Sequence, residues 1–211
     1  MYIMANSTKI SITAWNMRTL RSAAPYINKL MSTSDILILS EHRLYNSEMY
    51  KLNELNTDYV YYGKASHDLN DKALTRMPGH CGIAMCWKKS LDHRVRVIEN
   101  PSDRICIIEV TDAILSSSLF IIGVYLPQKN CRISNFEDHI KIVDDQLQKL
   151  QKIGQCIIMG DFNCHFGKEY GPRFCGGLTS INGRKLIHII HKHDLHLISG
   201  SKITDGSCNS L

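Results

Sequence analysis

Long hydrophobic runs are missing from this chain. No apolar stretch approaches the roughly 20 residues that a membrane-spanning helix needs, and the N-terminal MYIMANSTKI has no apolar core of the secretory kind. An intracellular protein of nucleus or cytoplasm, without membrane contact, is therefore expected. CxxC pairs are also missing, although the chain has eight cysteines. They are scattered, with Cys106 and Cys156 inside apolar runs, so reduced structural thiols are expected rather than a disulfide framework. Cys164, His165, Cys175, His188 and His191 could be drawn as a zinc cluster, but their spacing matches no common finger. There is no internal repeat, low-complexity segment or linker, so the 211 residues read as a single domain, 1–211. Charge of one sign is modest. A net +5 with a pI near 8.7 is compatible with a polyanion partner but does not demand one.

The most informative stretch is QCIIMGDFNCHFG, Gln155 to Gly167. Cys156 to Met159 form an apolar run of the kind that makes a strand buried on both faces. It stops at Gly160, and Asp161 and Asn163 follow two apart. In extended backbone they would share one face while Phe162 points back to the core. Gly160 would let a substrate or ion approach the backbone. A buried acid and amide are costly unless a metal, phosphate or water answers them. The same residues are also ordinary turn formers. DILILS ends in Glu41 in the same way, and KISITAW ends in Asn16, with Arg18 and Arg21 beyond. Polar groups at strand ends are where layered α/β proteins build sites.

Helices are expected over Ala23–Met31, with Pro25 in its first turn, and over Asn46–Leu55. A strand is expected at Thr57–Gly63. Lys64 to Gly79 reads as a polar surface loop near the site, where Lys64, His67, Lys72 and Arg76, with His80, could meet phosphates. His80–Trp87, Arg94–Glu99, Ile105–Val110 and Leu119–Leu126 follow as successive strands joined by short links, which argues for antiparallel neighbours. Tyr125 lies at the end of the last one. Ser134–Lys152 is the clearest helix, with Ser134 and Glu137 as a capping box and Phe136, Ile140, Val143, Leu147 and Leu150 on one face. Asn182–Gly183 open a helix over Arg184–His193, and Leu195–Ser199 reads as a short strand. The fold class is α+β, with packed sheets covered by helices.

Taken together, ITAWNMRTL, DILILSEHRL, GHCGIAMCWKK, SDRICIIEV, IIGVYLP, IIMGDFN and INGRKLIHIIHKHDLHLIS resemble the endonuclease/exonuclease/phosphatase superfamily. The match is nearest to the apurinic-endonuclease-like domain of non-LTR retrotransposon polyproteins. The resemblance implies a four-layer α/β/β/α sandwich with two mostly antiparallel sheets face to face and helices outside. It implies Mg²⁺, with Mn²⁺ as the alternative, held by Glu41 and Asn16. Asp161 would position or activate water, Asn163 would bond the phosphate, and Tyr125 would contact the phosphate or the leaving oxygen. Arg18, His80 and Asn182 are the candidate substrate contacts. The partner is DNA, in a protein fused to a reverse transcriptase.

One departure bears on activity. Members of the family end in Ser-Asp-His, and that tripeptide does not occur here. His196 precedes the corresponding region, and Asp205 is assigned no role. The chain is expected to be C-terminally truncated, with its last strands missing, weak or absent activity and an exposed sheet edge. Two other readings stay open: a non-catalytic nucleic-acid-binding remnant, and a calcineurin-like metallophosphoesterase. The latter would want Asp-x-His and Asn-His-Asp/Glu, which are not found.

Overall fold

The computed structural model describes residues 10–65, 81–111, 118–128, 131, 135–167, 170 and 177–198. The chain divides into two compact units. One is Met1–Tyr125 with Ile157–Asp161, and the other is Leu126–Cys156 with Phe162–Leu211.

The first unit holds two four-stranded sheets. Strands β1 (Ile12–Asn16), β2 (Ile36–Ser40), β3 (Tyr59–Lys64) and β4 (Ile83–Lys88) make one sheet in the order β1-β2-β4-β3. β1 and β2 run parallel, and the other pairs are antiparallel. Strands β5 (Val95–Ile98), β6 (Ile105–Val110), β7 (Ser118–Tyr125) and β8 (Gly154–Asp161) make the second, in chain order. The α+β class with two packed, mostly antiparallel sheets is thus observed.

The solid apolar runs are explained by two-sided burial. Side chains alternate along a strand, so ILIL in β2 supplies two cores at once. Leu37 and Leu39, with Ala84 and Cys86 of β4, pack against Ala23, Ile27 and Met31 of helix α1 (Leu20–Thr33) and Leu52 of the short helix α2 (Tyr50–Asn53). Ile36 and Ile38, with Ile83, Met85 and Trp87, pack against Cys106, Ile108, Val110 and Ile121 of the second sheet. Each fully buried aliphatic side chain contributes roughly 1.5–3 kcal/mol.

Several expectations need correction. The four strands from β4 to β7 are not all neighbours: β4 stays between β2 and β3, and the chain changes sheets at β5. Helix α1 begins earlier than expected, capped by Thr19, whose side chain accepts from Ser22 N, so Pro25 sits beyond the first turn. β8 is only partly buried along its length, because among the described residues it stands last in its sheet. No strand forms at 195–198, where the chain is irregular.

In the second unit, α3 (Phe136–Leu150) buries Phe136, Ile140, Val143, Leu147 and Leu150, the face read from the sequence. Its cap is Asn135, whose side chain accepts from Glu137 N; Ser134 lies outside the described residues. α4 (Ile181–Lys192) is capped by Ser180. His193 closes it, with its ring between Asp144 Oδ1 at 2.6 Å and Gln151 Oε1 at 2.9 Å.

Leu39 is fully buried between β2 and α1. Leu39→Ala is expected to lower stability by roughly 2–5 kcal/mol, read as a lower urea midpoint with an unchanged slope. An unchanged midpoint would contradict the packing described.

Candidate active site

Strand pairing assembles the site. In the parallel β1–β2 ladder Asn16 stands opposite Ser40, and Glu41 is the next residue. Met17 N donates to Ser40 O at 2.9 Å, so the two chains stay together past the strand ends. β7 and β8 finish side by side as well. A Cβ added to Gly160 would fall 2.0 Å from Val124 O and 2.9 Å from Val124 N. Gly160, with φ +135°, is therefore required by the neighbouring backbone. This corrects the expectation that it leaves room for a ligand.

The strand ends deliver two hydrogen-bonded pairs. Asn16 Nδ2 donates to Asp161 Oδ2 at 2.7 Å. Tyr125 OH donates to Glu41 Oε1 at 2.7 Å. Asn16 Oδ1 also accepts from Arg18 N at 3.0 Å, a tight turn that puts Arg18 at φ 59° with its side chain exposed. Arg43 Nη2 stands 3.7 Å from Glu41 Oε2. Burial pushes the Tyr125 phenol well above its ordinary range, and the Glu41 carboxylate pushes the same way. Tyr125 is therefore a protonated donor at neutral pH.

Asn16, Glu41, Tyr125 and Asp161 thus converge in one unit at the carboxyl ends of β1, β2, β7 and β8. Asn163 belongs to the second unit. It sits at φ 45°, not extended, and its amide donates to Leu126 O at 2.8 Å. The strand ends at Asp161, so the shared face expected for Asp161 and Asn163 does not form. Asn182, also in the second unit, is the second residue of α4 and only 5% exposed. His80 and most of the 64–79 loop lie outside the described residues, as does Cys175.

The backbone after β2 is strained. Glu41 and Arg43 have φ of 59° and 56°, and their N–H groups donate to Gly82 O and Cys81 O, both at 2.9 Å. Such left-handed non-glycine residues cost roughly 1–3 kcal/mol each and cluster at functional sites. His42 between them is almost wholly buried. Leu44 N donates to its Nδ1 at 3.1 Å, and its Nε2 lies 3.2 Å from Lys64 O. Gly82 must be glycine here, since a Cβ would sit 2.2 Å from His42 Cε1. Sequence reading missed His42, and it missed Arg104, whose guanidinium lies 5.3 Å from the Tyr125 ring centroid. A histidine following Glu41 and an arginine opening an apolar strand were the available signals.

The donor chemistry suits a hard divalent cation. The rim offers carboxylate oxygens of Glu41 and Asp161 and the carbonyl oxygen of Asn16, without sulfur or imidazole among these groups. Among the described residues no group of three or more His, Cys, Asp or Glu is placed to hold a metal. The Cys86 and Cys106 thiols are pushed up to about 12 by burial, and Cys156 to about 11. They are inert structural thiols. Among the described residues no helix is long and apolar enough to cross a membrane.

Comparison with known proteins gives the same fold. Residues 119–210 match the profile of a family described as Endonuclease-reverse transcriptase. The endonuclease domain of TRAS1, a telomere-specific non-LTR retrotransposon, superposes with TM-score 0.60 at 13% identity, covering 90% of this chain and 73% of that one. The fold is the one this endonuclease structure has. The AP endonuclease LMAP from Leishmania major gives TM-score 0.61 at 14% identity, covering 87% of this chain and 66% of that one. A 3′ phosphatase, NExo, from Neisseria, bound to a product DNA hairpin, gives 0.59 at 14%, covering 87% and 71%. No curated protein matches the sequence.

His42 generates a pH prediction. Burial lowers its pKa from 6.5 to about 4. The unfolded chain therefore binds a proton between those values that the folded chain refuses, and stability falls as pH drops from 6.5 towards 4. The full effect is about 3 kcal/mol. Urea unfolding of His42→Asn is expected to lose less stability over this window than the wild type. Equal losses would contradict the assignment.

Proposed function

We propose that this endonuclease/exonuclease/phosphatase-fold domain hydrolyses phosphodiester bonds in DNA with Mg²⁺, as a nicking endonuclease of a retrotransposon-type protein. The observation that carries the reading is the convergence of Asn16–Asp161 and Glu41–Tyr125 on the ends of four strands. The DNA hairpin in the NExo structure and the TRAS1 likeness support DNA as substrate. The family profile's description supports the association with a reverse transcriptase.

Glu41 would hold the cation, with Asn16 beside it. When bound, the cation neutralises charge on the phosphoryl oxygens and lowers the pKa of a bound water. The chain's own groups have distinct parts. The Asn16 amide holds Asp161 by one oxygen, fixing the carboxylate to orient a water and accept its proton. Tyr125 gives its one hydrogen to Glu41 Oε1 and so orients that carboxylate; turning the same hydrogen to a phosphoryl or leaving oxygen is the role the resemblance implies for it. Arg18, exposed beside Asn16, is the candidate backbone contact.

Both acids are already answered by donors of the chain itself, which favours a second reading, a non-catalytic DNA-binding remnant. Nicking of supercoiled plasmid separates the two. We expect nicking that requires Mg²⁺ or Mn²⁺ and falls by about two to four powers of ten in Asp161→Ala, with DNA binding retained. Binding without any metal-dependent nicking would establish the remnant reading instead.

A further inference from the structure

One buried cation beside the rim, Arg104 of the SDRICIIEV stretch, carries none of the roles assigned above. Arg104 closes the β5–β6 turn immediately before β6, and it is 2% exposed. That turn is held firmly. Arg104 N donates to Ser102 Oγ at 3.0 Å, Ser102 N to Asn100 Oδ1 at 3.1 Å, and Asn100 Nδ2 to Ile105 O at 3.1 Å. From β3, Lys64 Nζ donates to the carbonyls of Asn100 and Ser102 at 2.8 and 2.9 Å. The guanidinium that leaves this turn lies over the Tyr125 ring, 5.3 Å from its centroid. Nη1 reaches towards Tyr125 O at 3.4 Å, and Nη2 lies 2.8 Å from Cys81 Sγ. Cys81 O in turn accepts from Arg43 N, two residues past Glu41.

A buried guanidinium is costly to desolvate, and an apolar side chain would fill the same space without that cost. Its burial therefore needs a reason beyond packing. Arg104 grips the one aromatic ring whose hydroxyl is bonded to Glu41, by both its face and its backbone carbonyl. A planar fork can stack on a ring and donate at its edge together, which an ammonium cannot do.

We propose that Arg104 is a positioning residue that holds the Tyr125 phenol on Glu41 and thereby fixes the orientation of that carboxylate at the site of cleavage. The proposal rests on reading Glu41 and Tyr125 as part of a phosphodiester-cleaving site.

Two measurements on the full chain test it. In steady-state plasmid nicking with Mg²⁺, Arg104→Met is expected to lower kcat by about 10–100-fold with KM within about twofold. In a Tyr125→Phe background the same substitution should change kcat by less than about threefold, because its effect passes through the phenol. Equal losses in both backgrounds would overturn the proposal. The second measurement needs no activity. With tyrosine labelled by ¹³C at Cζ, the Tyr125 signal is the one lost in Tyr125→Phe. Glu41→Gln should move that signal in the wild-type background and move it much less with Arg104→Met. An equal response in both backgrounds overturns the proposal whether or not the protein nicks DNA. A wild type that fails to nick counts against the function reading alone. If Arg104→Met does not fold, Arg104→Lys carries both tests, with an intermediate loss of kcat expected.

Discussion

The parallel pairing of Ile12–Asn16 with Ile36–Ser40 brings Asn16 level with Ser40, and Glu41 is the next residue. This register fixes the rest of the rim. β2 is buried on both faces, so a slip of one residue would exchange its helix-facing leucines for its sheet-facing isoleucines. The two cores thus lock the register, and the register places the metal-ligand candidates. β7 and β8 join through Gly160, which lets the end of β8 lie against Val124 and sets Asp161 within reach of Asn16. Packing energy far from the chemistry is what holds acidic groups in place at the rim.

Each acid there is answered by a donor of the same unit. Asp161 receives the Asn16 amide, and Glu41 receives the Tyr125 phenol, with Arg43 nearby. The left-handed backbone at Glu41 and Arg43 is held by hydrogen bonds to residues 81 and 82, and His42 is wedged between β3 and Gly82. Strain of this sort persists where surrounding structure over-determines it. The consequence is a set of oxygen donors held in place by the fold itself.

Much of this was legible in the sequence, for identifiable reasons. ILIL reads as a two-sided strand because no polar position interrupts it, whereas CIIM, read the same way, is only partly buried because β8 stands last among the described strands of its sheet. The α3 face read correctly because its apolar residues recur at helical spacing. Strand ends near Asn16, Glu41, Tyr125, Asp161 and Asn163 pointed to a shared rim; the first four stand in two hydrogen-bonded pairs, and Asn163 instead donates to Leu126 O. Other features were not legible. Nothing local marks the change of sheet between β4 and β5, because partners are chosen by long-range packing. Asn135 and Ser134 are adjacent and both can cap. Leu195–Ile198 has a strand's composition, but pairing depends on a partner that composition does not reveal. Gly160 looked like an opening for ligand, while its hydrogen faces another strand's carbonyl. Arg104 and His42 are buried polar residues, recognised only through the three-dimensional groups that surround them.

The central claim is that Asn16, Glu41 and Asp161 form one cation-binding rim at neighbouring strand ends. The most direct test is a crystal of the full chain grown with Mn²⁺, measured for anomalous scattering. The account predicts a peak bound by the Glu41 carboxylate next to the Asn16–Asp161 pair. A structure with Mn²⁺ bound elsewhere, or with these side chains apart on separate faces, would contradict it.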